Sequence, residues 1–155
     1  MRYETMTPVQ AEVIPLAVDG NDVIVASQTG TGKTAAFLIP LLERLIDKER
    51  GKTHALVLTP TRELAIQIDE NFAGLGYHSG MGSFCVVGGM PFPPQKEALV
   101  EKTDVIIATP GRLLEHVRFG NVDFGSISYV VLDEADRMFD MGFLPDLRRI
   151  LNQLP

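Results

Sequence analysis

The run Ser27-Gln28-Thr29-Gly30-Thr31-Gly32-Lys33-Thr34 constrains this chain more than any other stretch. The apolar residues Val23-Ile24-Val25-Ala26 lead into it, and Ala35-Ala36-Phe37-Leu38-Ile39 lead out with a composition that suits a helix. Strand, glycine-rich loop and helix in that order form a cradle for phosphate. Gly30 and Gly32 lack side chains, so the backbone can curl with its N–H groups turned towards an anion. The helix that follows adds the positive end of its dipole. Lys33 can reach terminal phosphates, and the Thr34 hydroxyl suits a magnesium ion. The pattern G-x-x-x-x-G-K-[ST] asks for glycine at position 27, where this chain has the small residue serine.

The rest of the chain alternates between strand and helix patterns. Thr7 followed by Pro8 reads as an N-cap and a first helical residue, and Val9, Val13, Leu16 and Ala17 continue at helical spacing to residue 18. Continuous apolar runs predict strands over 22–26, 55–58, 83–87, 104–108 and 128–132. Helices are predicted over 33–48, 63–72, 113–117 and 144–151, with one or two turns over 95–100 after a loop broken by Pro91, Pro93 and Pro94. Strands apolar throughout, alternating with helices, specify an α/β fold: a parallel sheet covered on both faces, in three layers. Most of the unusual residues fall just after strand C-termini, the edge where open α/β sheets bind ligands.

Composition narrows the function classes. The chain has 155 residues, enough for one domain with a substantial core, and 45% are hydrophobic. A net charge of −6 argues against a strongly basic nucleic-acid binder, so any such contact has to be local. The single cysteine, Cys85, excludes an internal disulfide and a cysteine-built zinc site, and reads as a buried strand residue. His54, His78 and His116 lack metal-ligand spacing and receive no role. No run is long and apolar enough to span a membrane, and no signal-peptide core is present, so a cytoplasmic protein is expected.

Asp133-Glu134-Ala135-Asp136 follows the last predicted strand. A carboxylate at a strand tip beside a phosphate loop is how such enzymes hold magnesium, a role that falls to Asp133. Glu134 would orient and deprotonate an attacking water. Met138, Phe139, Met141 and Phe143 read as an apolar packing cluster.

Asp133-Glu134-Ala135-Asp136 also spells the signature of the DEAD-box RNA helicases, and the chain resembles that family elsewhere in the family's order. Tyr3-x-x-Met6-Thr7-Pro8-Val9-Gln10 resembles the Q motif. Ala26 to Thr34 resembles motif I, and Pro60-Thr61-Arg62-Glu63-Leu64, with Gln67, resembles motif Ia. Gly88-Gly89 is similar to the GG motif, and Thr109-Pro110-Gly111-Arg112 to motif Ib. Six ordered matches span essentially the whole chain.

The resemblance implies a RecA-like domain that binds ATP and Mg2+ and contacts RNA. Gln10 would read the adenine edge, for which its amide has both a donor and an acceptor, and Tyr3 would pack on the base. Thr7 would link this region to the phosphate loop. Pro60, Thr61, Arg62, Gly88, Gly89, Thr109, Pro110, Gly111 and Arg112 match positions lining the RNA backbone. Hydroxyls, a guanidinium and helix starts are suitable phosphate and sugar ligands, without a base code. Arg62 can equally serve as a structural ion-pair partner, and Asp136 would relay nucleotide state.

In the family, Ser-Ala-Thr follows a helix like 144–151, and a second RecA-like domain supplies an arginine finger. The sequence also has Arg2 where the family often has glycine. Residues 1–155 are therefore expected to be the first RecA-like domain, truncated at both ends, monomeric, and nearly inactive without the second domain of the same parent chain. Two rival readings are a different P-loop ATPase such as a DNA helicase, and a non-catalytic RNA-binding scaffold.

Overall fold

The computed structural model describes residues 5–28 and 30–155. Tyr3 and Thr29, both expected at the nucleotide site, lie outside the described residues. Four strands form one parallel sheet: β1 (Ala55–Leu58), β2 (Ser83–Val86), β3 (Val105–Ala108) and β4 (Tyr129–Leu132), in the spatial order β2-β3-β1-β4. Seven helices accompany them among the described residues: α1 (Pro8–Val18), α2 (Lys33–Leu45), α3 (Arg62–Leu75), α4 (Phe92–Glu101), α5 (Pro110–Arg118), α6 (Ala135–Asp140) and α7 (Leu144–Leu151).

Strand side chains alternate between faces, and the buried residues divide accordingly. Ala55, Val57, Val105 and Ile107 join Leu38, Leu41 and Leu45 of α2 and Ala65, Ile68 and Phe72 of α3 in one core. Leu56, Leu58, Ile106 and Ala108 join Leu99, Leu113, Met138, Leu147 and Ile150 in the other. Two cores, one per face, make the predicted three-layer α/β arrangement. Every residue of β1 and β3 is buried, which explains why these strands read as unbroken apolar runs.

The expected strand over 22–26 does not form. Residues 21–28 carry no regular structure, and Ile24 and Val25 are exposed. An apolar, β-branched run supplies propensity, but a parallel strand exists only when a neighbour accepts and donates its ladder bonds. β4 ends the sheet, and its outer edge pairs with nothing among the described residues. The sheet consequently has one strand fewer than predicted.

Helix positions agree better. α1 and α7 match their predicted limits. α4 begins at Phe92 because Pro93 and Pro94 occupy its first turn; the prolines start the helix rather than break the segment. Pro110 likewise starts α5 earlier than expected. The packing cluster expected over 138–143 is divided by helical geometry. Met138 is fully buried and Phe143 packs on the core, whereas Phe139 and Met141 of the same segment are each 49% exposed. Cys85 is buried, its thiol donates to the Ala65 carbonyl, and burial pushes its pKa up to about 12, which keeps it unreactive. No described helix is long and apolar enough to cross a membrane.

Candidate functional site

The parallel register brings the strand C-termini to one edge. Leu58 pairs with Leu132 on one side and with Ala108 on the other, so Thr59, Asp133 and Thr109 emerge side by side. α2, which begins with Lys33, packs on the face that Val57 and Val131 share, and the Lys33 ammonium favours the ionised Asp133 carboxylate.

In the loop, Gly30 and Gly32 have φ of 79° and 92°. That left-handed backbone is costly for any residue with a Cβ. Lys33 donates its ammonium to the Ser27 carbonyl at 2.5 Å, and Ser27 Oγ and Thr31 Oγ1 are 3.0 Å apart. Thr31 Oγ1 also donates to the Gln28 carbonyl at 2.8 Å. Serine at position 27 thus closes the loop on itself through a hydroxyl that glycine cannot provide. Ser27, Thr31, Gly32, Lys33 and Thr34 are partly buried, and Gln28 and Gly30 are exposed.

α1 clasps this loop. Thr7 and Gln10 form a capping box: the Gln10 N–H donates to Thr7 Oγ1 at 3.4 Å, and the Thr7 N–H donates to Gln10 Oε1 at 3.0 Å. Gln10 Nε2 then donates to the Gly32 carbonyl at 3.2 Å. Gln10, whose amide is expected to read a base, is 3% exposed, and that amide has one N–H and one lone pair to spare.

Asp133 is partly buried at the tip of β4, where its N–H donates to the Leu58 carbonyl at 2.8 Å. Burial raises its pKa, the Glu134 carboxylate adds to the rise, and Lys33 and the Glu134 N–H oppose it. Glu134 has φ 50° and ψ 47°, a left-handed conformation rare for a residue with a side chain. Its carboxylate pairs with Arg137 Nη1 at 3.1 Å. No local pattern signalled this strain, which sits on the residue expected to act as base. Asp136 is exposed on the first turn of α6.

Magnesium takes oxygen donors and keeps several waters, so one or two protein ligands beside phosphates suffice. Asp133 beside the Lys33 loop, with Thr34 in the first turn of α2, offers such a donor set.

The expected RNA-facing residues divide in two. Thr61 caps α3, accepting from the Leu64 N–H at 3.3 Å, and exposed Arg62 donates to the Gly89 carbonyl at 3.3 Å. Gly89 has φ 74°, and a Cβ there would lie 3.1 Å from Arg62 Nη1. Arg62 thereby joins the loop at Gly88-Gly89 to the start of α3 and forms no ion pair among the described residues. Gly88 and Gly111 are exposed, whereas Pro60 and Pro110 are buried. Thr109 is partly buried and its side chain makes no cap bond.

Arg112 is committed internally. It donates to the Met90 carbonyl at 2.7 Å, to Glu115 at 2.6 Å and to Gln95 Oε1 at 3.3 Å, and lies 5.1 Å from the Phe92 ring centre. His116 also stacks on Phe92, with centroids 4.0 Å apart. Gln95 is buried, and its amide points at the Val87, Met90 and Pro91 carbonyls. This arrangement holds the loop after β2, and Gln95 and His116 carried no local signal that would have revealed it. A separate groove of about 540 Å³ between α5 and α7, lined by Leu114, Val117, Arg118 and Arg149, opens on the other side of the sheet from α2.

Comparison with known proteins agrees with this geometry. The family model described as DEAD/DEAH box helicase matches residues 7–155. The chain is 46% identical over its whole length to the ATP-dependent rRNA helicase RRP3 of Meyerozyma guilliermondii, covering 33% of that protein. It is 48% identical to the rrp3 protein of Aspergillus oryzae, with the same 33% coverage. The chain thus spans about a third of the curated relatives it matches. A crystal structure of a hypothetical ATP-dependent RNA helicase from Sulfolobus tokodaii superposes with a TM-score of 0.89 at 41% identity, covering 97% of this chain and 43% of that one. With its phosphate loop and its Asp133-Glu134 pair meeting at one edge of a RecA-like parallel sheet, the chain belongs to the DEAD/DEAH box helicase family.

Proposed function

We propose that this chain is the first RecA-like domain of an ATP-dependent RNA helicase, and that it supplies the nucleotide site and half of an RNA-backbone site. The single observation that carries the reading is the shared sheet edge: Asp133 follows β4 within the field of Lys33, and Thr109 and Thr61-Arg62 follow the adjoining strands. Nucleotide and RNA would then lie on neighbouring strand tips, close enough for one to alter the other's binding.

In this reading Gly30, Gly32 and the α2 N-terminus wrap the phosphates, and Lys33 leaves the Ser27 carbonyl for a phosphate oxygen. Gln10 turns its remaining donor and lone pair to the adenine edge, aided by Tyr3. Asp133 and Thr34 hold magnesium, which when bound neutralises charge on the transferred phosphoryl group. Glu134 accepts the proton of the attacking water, which requires release from Arg137. Thr61, Arg62, Gly88, Gly89, Thr109 and Gly111 meet phosphates and 2′-hydroxyls, so binding is indifferent to base sequence. Arg112, Pro60 and Pro110 hold that surface in shape.

Hydrolysis and unwinding belong to the parent protein, whose second domain closes on this one; such a closure in related enzymes, with an arginine across the cleft, is worth ~10³–10⁵ in rate. The relatives named for rRNA make ribosomal RNA the first substrate to test. Cytoplasm is the working location, and the nucleolus is the compartment to compare with it by imaging.

The test is RNA-stimulated ATPase activity of the full-length parent against its Glu134→Gln form, with ATP and GTP offered in parallel. Loss of at least ~100-fold in the variant, as expected for a general base, and preference for ATP support the reading. Equal rates in both forms rule out the role given to Glu134, and RNA-independent turnover favours a different P-loop ATPase.

A further inference from the structure

Thr59 is fully buried, and its hydroxyl has no hydrogen-bond partner among the described residues. A buried hydroxyl without a partner is costly, and natural cores keep few of them. A valine would fill the same space at no such cost, so the oxygen needs a reason.

Its position supplies one. Thr59 is the first residue beyond β1, and the ladder continues through it: its N–H donates to the Ala108 carbonyl at 3.0 Å, and the Asp133 N–H donates to the Leu58 carbonyl at 2.8 Å. Thr59 is therefore flanked by Asp133 on one strand and Thr109 on the other, with neighbouring strands about 4.8 Å apart. Alternation fixes the face. Val57, Ile107 and Val131 belong to the core beneath α2 and α3, and Thr59, Thr109 and Asp133 stand two residues further along the same strands. All three side chains leave the sheet on the side where α2 begins with Lys33.

The Asp133 carboxylate has acceptor capacity to match. An ionised carboxylate offers about four lone-pair sites, and the one hydrogen bond bearing on the Asp133 carboxylate among the described residues comes from the Glu134 N–H. An unpaired donor and an under-used acceptor thus occupy adjacent strand tips on one face.

We propose that the Thr59 hydroxyl is a positioning donor for the Asp133 carboxylate, holding it in the orientation that receives a magnesium nucleotide. The inference rests on the reading of Asp133 as the magnesium carboxylate. Thr59 touches neither nucleotide nor metal; it acts through Asp133.

The test measures binding of adenylyl imidodiphosphate to the 155-residue chain with and without Mg2+, for the wild type, Thr59→Val, Thr59→Ser and Asp133→Asn. The readout is the ratio of the two Kd values. Thermal midpoints of the ligand-free proteins are measured in parallel. Thr59→Val should reduce the magnesium-dependent ratio about tenfold, the size of one hydrogen bond to a charged group. Thr59→Ser should restore it. The Thr59→Val midpoint should equal or exceed that of the wild type, which separates positioning from folding. A wild-type ratio in Thr59→Val, or a Thr59→Ser protein as defective as Thr59→Val, overturns the proposal while leaving the magnesium reading intact. An unchanged ratio in Asp133→Asn overturns both.

Discussion

The Gln10 side-chain amide donates to the Gly32 carbonyl at 3.2 Å, fastening the first helix to the phosphate loop across 22 residues of sequence. Gly32 is where the two parts touch: a Cβ there would lie 2.5 Å from Gln10 Nε2 and 3.1 Å from Thr7 Oγ1. The first helix and the glycine loop are thus one mechanical unit.

Gly32→Ala should therefore fail for two separable reasons. The left-handed φ costs about 1–2 kcal/mol for any L-residue, and the clash with Gln10 adds to it. Urea unfolding of Gly32→Ala, Gln10→Ala and the double variant forms a cycle that separates them. The alanine at 32 should cost less when Gln10 has been removed. Additive costs would mean that the amide and the loop do not bear on each other.

Glu134 combines a left-handed backbone with the position proposed for the general base. Its left-handed backbone suits glycine, so Glu134→Gly should raise the unfolding free energy by about 1 kcal/mol. Glu134→Gln keeps the strain and should leave stability within about 0.5 kcal/mol, since the exposed pair with Arg137 contributes little. Both variants should lose RNA-stimulated ATPase in the parent protein. Denaturant unfolding and steady-state rates on the same preparations check this, and a Glu134→Gly protein less stable than the wild type contradicts it.

Arg62 and Arg112 should separate in the same assays. Arg112→Lys keeps the charge but cannot span Met90, Gln95 and Glu115 together, and it leaves the buried Gln95 oxygen unpaired. It should destabilise the fold by about 2 kcal/mol. Exposed Arg62 makes one long bond, so Arg62→Ala should change stability by less than about 0.5 kcal/mol. Its effect should appear in RNA affinity and in a smaller salt dependence of binding. Filter binding at several salt concentrations, beside thermal unfolding, tests the pair.

His116 makes stability depend on pH. Its Nδ1 lies 3.2 Å from the Asn121 amide nitrogen, and its Nε2 is buried without a partner among the described residues. Burial lowers its pKa from the ordinary 6.5, Arg112 lowers it further, and Glu115 opposes the shift. Between the folded and the ordinary value the unfolded chain binds more protons than the folded one, so stability rises with pH. The contribution is fully present above the ordinary value and is lost as pH falls below it. His116→Phe, which keeps the stack on Phe92, should flatten this part of the pH profile. Thermal midpoints across the acidic to neutral range provide the measurement, and an unchanged profile would assign the pH dependence to other groups.

Much of this was legible in the residues themselves. Thr7-Pro8 and Thr61 carry their helix starts locally, because capping depends on atoms within one turn. The fully buried strands β1 and β3 announced themselves as apolar runs. The glycine loop and the Asp133-Glu134 pair stood out as motifs because each sets particular residue types at short, fixed spacing. Val23-Ile24-Val25-Ala26 looked equally strand-like, yet it pairs with nothing among the described residues. A ladder needs a partner, and no local pattern encodes whether one is at hand.

What the tertiary structure alone decided is which side chains are free to act. Arg62 and Arg112 are alike in sequence, each following a threonine-containing helix start, yet one is exposed and the other spent on its own fold. Gln10 became a clasp because α1 packs against α2 at Gly32, and Thr59 became a candidate donor because β1 lies between β3 and β4. Residue type and short spacing set what chemistry this chain can offer. Register and packing set where each donor points, because those depend on contacts between residues tens of positions apart, which short-range patterns do not contain.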